Sequence, residues 1–139
     1  MSATVQQEVN AFLDAWTVDP NNAKAAFSAY REWLAAQPGV SLEFKARPGV
    51  SYSLRAVHEN QRERPLFVLV DVVDDEPEAR WLSVCFYADM VSDPDEAGDF
   101  VPQGLMGQDA CCLNLEEDDA TMRAYIQARL REACAKAAA

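Results

Sequence analysis

One histidine in 139 residues, His58, already limits nucleophilic and metal chemistry. Any Cys/His or Ser/His system would have to use it as its base, and a lone imidazole cannot complete a typical zinc set. Basic residues are also scarce. Twelve Lys and Arg against 23 Asp and Glu leave a formal charge of −11, which repels a phosphate backbone at long range and argues against nucleic acid as a partner. No apolar run approaches the ~20 residues of a membrane helix, and the amino terminus lacks the basic and apolar regions of a signal peptide. We therefore expect a soluble, cytoplasmic protein with no membrane partner. The four cysteines, Cys85, Cys111, Cys112 and Cys134, form no CxxC, and we expect them to be reduced packing thiols. Vicinal Cys111 and Cys112 would point to opposite faces of a strand, which defeats bidentate metal binding. No metal and no cofactor are expected.

Half of the chain is apolar, and at 15.4 kDa it fits a single domain spanning 1–139 that buries roughly two thirds of its unfolded surface. Its centre is Pro65–Asp89, PLFVLVDVVDDEPEARWLSVCFYAD, where two β-rich runs carry apolar residues on both faces. Leu66, Val68, Val70 and Val72 alternate with Phe67, Leu69, Asp71 and Val73; Leu82, Val84, Phe86 and Ala88 alternate with Trp81, Ser83, Cys85 and Tyr87. The spacing predicts a hairpin at the middle of a sheet, with one face in the core and a second, mixed face that needs cover.

Upstream, residues 1–39 read as a helical hairpin. Thr4 and Gln7 form a capping box before a stripe of Val5, Val9, Phe12, Leu13 and Trp16, so helix one is expected over Val5–Trp16. Asp19-Pro20 is an N-cap signal before Ala26, Phe27, Tyr30, Trp33 and Leu34, and Gln37-Pro38-Gly39 ends the second helix. Residues 40–115 then carry the sheet. Val40, Leu42, Phe44 and Ala46 face one way and Val50, Tyr52, Leu54 and Ala56 answer them. A three-residue loop, Arg47-Pro48-Gly49, pairs Phe44 with Tyr52 and puts Gly49 in the left-handed region. His58–Arg64 is a polar loop in which His58 is expected to be solvated. Residues 90–109 lack a clear period and are expected as a long loop. Ala110–Leu115 is a last short strand, and residues 116–139 form a helix with acids at its start and a stripe of Met122, Ile126, Leu130, Ala133 and Ala137. The fold class is α+β: roughly five mostly antiparallel strands, with two N-terminal helices and one C-terminal helix on one face.

The closing pattern LNLEEDDATMRAYIQARLREA and the order of elements resemble small bacterial domains of the YjbR/MmcQ type. The resemblance covers about half the chain and implies the same α+β architecture without transferring site residues. Small acidic α+β chaperones for exported proteins share the general character but not the element order.

Three apparent motifs fail. Asp93–Gly98 begins like an EF-hand loop, but Ala97 and Gly104 stand where ligands are needed. Asp71, Asp74, Asp75, Glu76 and Glu78 read as a solvated hairpin tip. Gly104–Gly107 matches a GxxG clamp without a basic residue beside it. No catalytic residues are assigned. The expected function is a non-enzymatic binding or protein-interaction domain that contacts a protein partner or a second copy. Its surface would comprise Phe67, Leu69, Trp81, Cys85 and Tyr87, with Lys45, Arg47 and Arg55 near the polar end. The alternative is an enzyme with a small-molecule ligand, the 90–109 loop as lid and Asp71 or Asp89 as acid or base.

Overall fold

The computed structural model describes residues 3–139, which fold as α1 (Ala3–Ala15), α2 (Ala23–Ala35), β1 (Val40–Arg47), β2 (Ser51–His58), β3 (Val68–Val73), β4 (Trp81–Tyr87), one 3-10 turn (Ala88–Met90), β5 (Asp99–Leu105), β6 (Gln108–Leu115) and α3 (Ala120–Ala138). The α+β class holds, with six strands in the order β1-β2-β3-β4-β6-β5, every neighbouring pair antiparallel. As the apolar runs predict, β3 and β4 are central.

The core face follows the period of two. Leu54, Val70, Val84 and Leu113 align across four strands, and each is 0% exposed. The helices pack on this face. Phe12 of α1 stacks on Tyr52, ring centroids 4.2 Å apart, and also meets Phe27 and Phe44. From α3, Ile126, Leu130, Ala133 and Ala137 enter the same cluster, and Tyr30 Oη donates to the Arg123 carbonyl at 3.0 Å to tie α2 to α3.

Residues 90–109 are not a structureless loop. They contain β5 and the start of β6, joined by a tight turn in which Met106 and Gly107 both have positive φ. Pro102 and Gly104 hide β5 in the sequence, since proline cannot donate to a ladder. Both are tolerated because β5 is an edge strand whose register breaks between Val101 and Leu105. The GxxG stretch is thus a hairpin turn.

Several local expectations are corrected. Thr4 lies inside α1 and does not cap it. Asp19 does cap α2, but from further upstream: its two oxygens accept the Ala23 and Lys24 N–H groups at 2.9 Å each, with Asn22 left-handed between. At the first β-hairpin the faces are as predicted, but the pairing is shifted by two: Phe44 lies opposite Leu54 and Ala46 opposite Tyr52. The loop is Pro48–Val50. A tertiary clamp decides this, because Asp74 Oδ2 accepts the Gly49 N–H at 2.7 Å while Asp74 N–H donates to the Val50 carbonyl at 2.9 Å. Gly49 is left-handed as expected, at φ 84°. His58 is buried, not solvated: it ends β2, and its Nδ1 accepts the Asn60 N–H at 3.1 Å. In α3, Asp119 accepts the Met122 N–H as N-cap, and Arg123 pairs with Asp118.

Candidate functional site on the helix-free sheet face

With all three helices on one side, the other side of the sheet carries, beside the Tyr87, Ala110 and Val101 row at one end, three further cross-strand rows. Lys45, Ser53, Asp71, Ser83 and Asn114 form one; Glu43, Arg55, Leu69, Cys85, Cys112 and Asp99 the next; Arg47, Ser51, Val73 and Trp81 the third. Most are half-buried by their neighbours alone, and Lys45, Arg47, Glu43 and Asp99 are exposed. Of the residues expected on this surface, Leu69, Trp81, Cys85, Lys45, Arg47 and Arg55 are together on it.

Phe67 and Tyr87 are corrections. Both are 0% exposed, and Phe67 lies in the connection just before β3. Arg64 lies 4.2 Å above the Tyr87 ring and is held there by two bonds to Asp89, at 2.7 and 2.8 Å. That pairing holds the Asp89 carboxyl below its ordinary range, while burial raises the Tyr87 hydroxyl above its own. The aromatic surface is therefore smaller than the alternation implies, and it centres on Leu69, Val73 and Trp81.

The thiols are the second correction. Cys85 and Cys112 are directly opposed on β4 and β6, Cα atoms 4.1 Å apart, and form a disulfide on this face. Cys111 and Cys134 are free and buried. Directly opposed residues of antiparallel strands share a face at close range. Nothing in the sequence announces that β6 pairs with β4, so the spacing of 27 residues gives no warning.

The polar groups of the face are unevenly satisfied. Ser53 Oγ donates to Asp71, whose carboxyl is raised by burial against the opposing effects of Ser53, Arg55 and Arg47. Arg55 Nε, a donor, and Asn114 Oδ1, an acceptor, are shielded from solvent and have no partner among the described residues. A buried polar atom without a hydrogen bond costs ~1–3 kcal/mol, so such atoms call for an explanation. Ser53, Val73, Cys112 and Asn114 were missing from the expected site. Period-two alternation within VLVDVV and ACCLNL places Val73, Cys112 and Asn114 off the core face, but only strand order brings them beside Leu69 and Trp81.

The acid/base candidates do not converge. Asp71 faces outward beside Ser53, Asp89 is occupied by Arg64, and His58 borders a different cavity of 310 Å³ against Trp33 and Cys134. A cavity of 660 Å³ opens at the Arg64–Asp89 corner, with polar walls. Asp93 is consumed locally: its oxygens accept the Ala97 and Gly98 N–H groups at 2.9 Å each, and Tyr125 Oη donates to it. In the acidic turn, Asp74 is not solvated but buried in an ion pair with Arg80 at 2.6 Å. Among the described residues no helix is long and apolar enough to cross a membrane. In comparisons with family models, curated proteins and solved structures, nothing matches the chain.

Proposed function

We propose that the chain is a non-enzymatic protein-interaction domain whose contact surface is the helix-free face of the sheet. The observation that carries this reading is the three-row face, where Leu69 with the Cys85–Cys112 bridge and Val73 with Trp81 lie on either side of the polar row Ser53, Asp71 and Ser83, with Arg55 beside Leu69 and Lys45 and Arg47 on the edge strand β1. Half-buried apolar side chains interleaved with polar ones have the mixed composition of a non-obligate protein contact. The resemblance to YjbR/MmcQ-type domains contributes element order to this reading and no residue.

A photo-crosslinking amino acid placed at Val73 tests it in the native cell, with the same group at exposed Ala124 on α3 as control. Protein adducts from position 73 in excess over position 124 are expected, and they should disappear in a Leu69→Ser/Trp81→Ser background whose circular dichroism is unchanged. Equal or absent adducts at the two positions would overturn the reading.

A further inference from the structure

We infer that the free edge of β1 pairs with β1 of a second copy, antiparallel about a two-fold axis through Phe44, so that two six-stranded sheets join into one. This surface is separate from the helix-free face and leaves that face open to a partner.

The outer strands of the sheet are β1 and β5. β5 cannot accept a further strand: Pro102 lacks a donor, Gln103 has positive φ, and the register breaks between Val101 and Leu105. β1 is regular over its 8 residues, with no proline, glycine or bulge. Its bonding phase is fixed as well. Glu59 N–H donates to the Gly39 carbonyl at 2.9 Å, one step beyond the Val40–His58 pair, so the odd-numbered residues of β1 bond to β2. The N–H and C=O groups of Leu42, Phe44 and Ala46 therefore point away from the sheet.

Charge then selects the register. That phase requires even-numbered residues to stand opposite even-numbered ones. A two-fold at Glu43 sets Glu43 against itself, one at Lys45 sets Lys45 against itself, and one at Ala46 sets Lys45 against Arg47. A two-fold at Leu42 leaves Lys45 and Arg47 outside the ladder. The axis through Phe44 instead places Glu43 opposite Lys45 twice over, with Ser41 opposite Arg47 and Leu42 opposite Ala46. Glu43 and Lys45 are exposed, and neither has an ion-pair partner among the described residues. Since Arg55 and Ser53 stand opposite them within each hairpin, the row across the seam reads Arg55, Glu43, Lys45, Ser53. Lysine on a strand edge ordinarily discourages pairing. Here the same strand, run in the opposite direction, carries the acid that answers it, which is why a second copy fits where a foreign strand would need a matching order of charges.

The helices fit the same axis. α1 rests across β1 and β2, with Phe12 stacked on Tyr52 at 4.2 Å and meeting Phe44 at 5.7 Å between ring centroids. Strands about 4.8 Å apart then put the two α1 helices about 10 Å from each other, the spacing at which helices pack. An open cavity of 410 Å³ lies beside this edge, with Ala11 and Ala15 of α1 on one wall and Phe44 and Ala46 of β1 on the other. Exposed Ala11 and Ala15 are small enough to let the helices approach, and the second copy, whose Leu42 stands opposite Ala46, closes the cavity.

Sedimentation equilibrium of the purified chain from about 1 to 200 µM decides the matter. We expect a species of twice 15.4 kDa. Glu43→Lys and Lys45→Glu each set like charges opposite one another at both contacts, and each should raise the dissociation constant about tenfold with unchanged circular dichroism. Because the first lowers the net negative charge and the second raises it, weakening by both separates the contact from overall repulsion. The double variant Glu43→Lys/Lys45→Glu restores opposite charges and should return to within about threefold of wild type. Ala46→Pro removes an outward N–H without touching the β1–β2 ladder and should leave a folded monomer. A wild-type chain that stays monomeric throughout the range overturns the inference. So does a dimer that the single charge variants leave unchanged, or a double variant no tighter than the singles.

Discussion

Removing the Asp74 carboxylate should be among the costliest single changes available in this chain. Asp74 is 3% exposed at its side chain and Arg80 13%, and their Oδ1–Nε contact is 2.6 Å. The Arg80 guanidinium sits 5.3 Å from the Phe12 and Tyr52 ring centroids and 5.5 Å from that of Trp16. The second carboxylate oxygen holds the Gly49 turn. In Asp74→Ala the guanidinium keeps its rings but loses its counter-charge, and breaking a buried pair on one side costs ~3–5 kcal/mol. Cation–π attraction of ~0.5–1 kcal/mol survives, which places the expected loss near the lower end. The freed Gly49 N–H lies in an exposed turn and can turn to water, adding ~0.5–1 kcal/mol. Together these give about 3–4 kcal/mol. With a urea slope of ~2 kcal/mol/M, the midpoint should fall by about 1.5–2 M, read from tryptophan fluorescence. Arg80→Met on top of Asp74→Ala removes the stranded charge and leaves an apolar chain among the rings, so the double variant should recover at least half of the loss. A single variant within about 1 kcal/mol of wild type, or a double variant worse than the single, would refute the assignment of Asp74–Arg80 as a buried, mutually dependent pair.

Two left-handed glycines separate strain from clash: at Gly49 an added Cβ meets nothing within 4 Å, so Gly49→Ala should cost about 1 kcal/mol. At Gly39 the Cβ would lie 2.8 Å from His58 Cε1, so Gly39→Ala should lower the urea midpoint further; equal midpoints would show that His58 yields freely. Burial raises the Asp71 carboxyl, so the folded state holds that proton more tightly than the unfolded chain and stability falls as pH rises from the ordinary aspartate value through the folded one. Asp71→Asn should therefore be more stable than wild type at pH 7, with the gain disappearing below about pH 4; a gain that persists in acid would contradict this cause. A peptide map without reductant should recover Cys85 linked to Cys112, with Cys111 and Cys134 free. For a separation of 27 residues, loop-closure entropy predicts that reduction lowers stability by about 3–4 kcal/mol, and a reductant-independent urea midpoint would argue against the bridge.

The sequence by itself determined what depends on near neighbours. Alternation in PLFVLVDVV and WLSVCFYAD placed Val68, Val70, Val72, Leu82, Val84 and Phe86 in the core, because side-chain direction repeats every two residues whatever the rest of the chain does. The stripe through Ile126 and Leu130 and the left-handed Gly49 were legible for the same reason: each is set by backbone geometry within a turn or two. Contacts between distant segments were not legible. The register of the first hairpin was decided by Asp74, 25 residues beyond Gly49, which captures that turn from the next hairpin. β5 exists despite Pro102 because its outer edge has no strand to serve. Tyr87 is covered because Arg64 folds across it, and Cys85 meets Cys112 because β6 inserts between β4 and β5. The helix-free face is a tertiary product in the same sense: its residues come from six strands spread over 40–115, and only strand order and the packing of all three helices on the opposite side make them one surface.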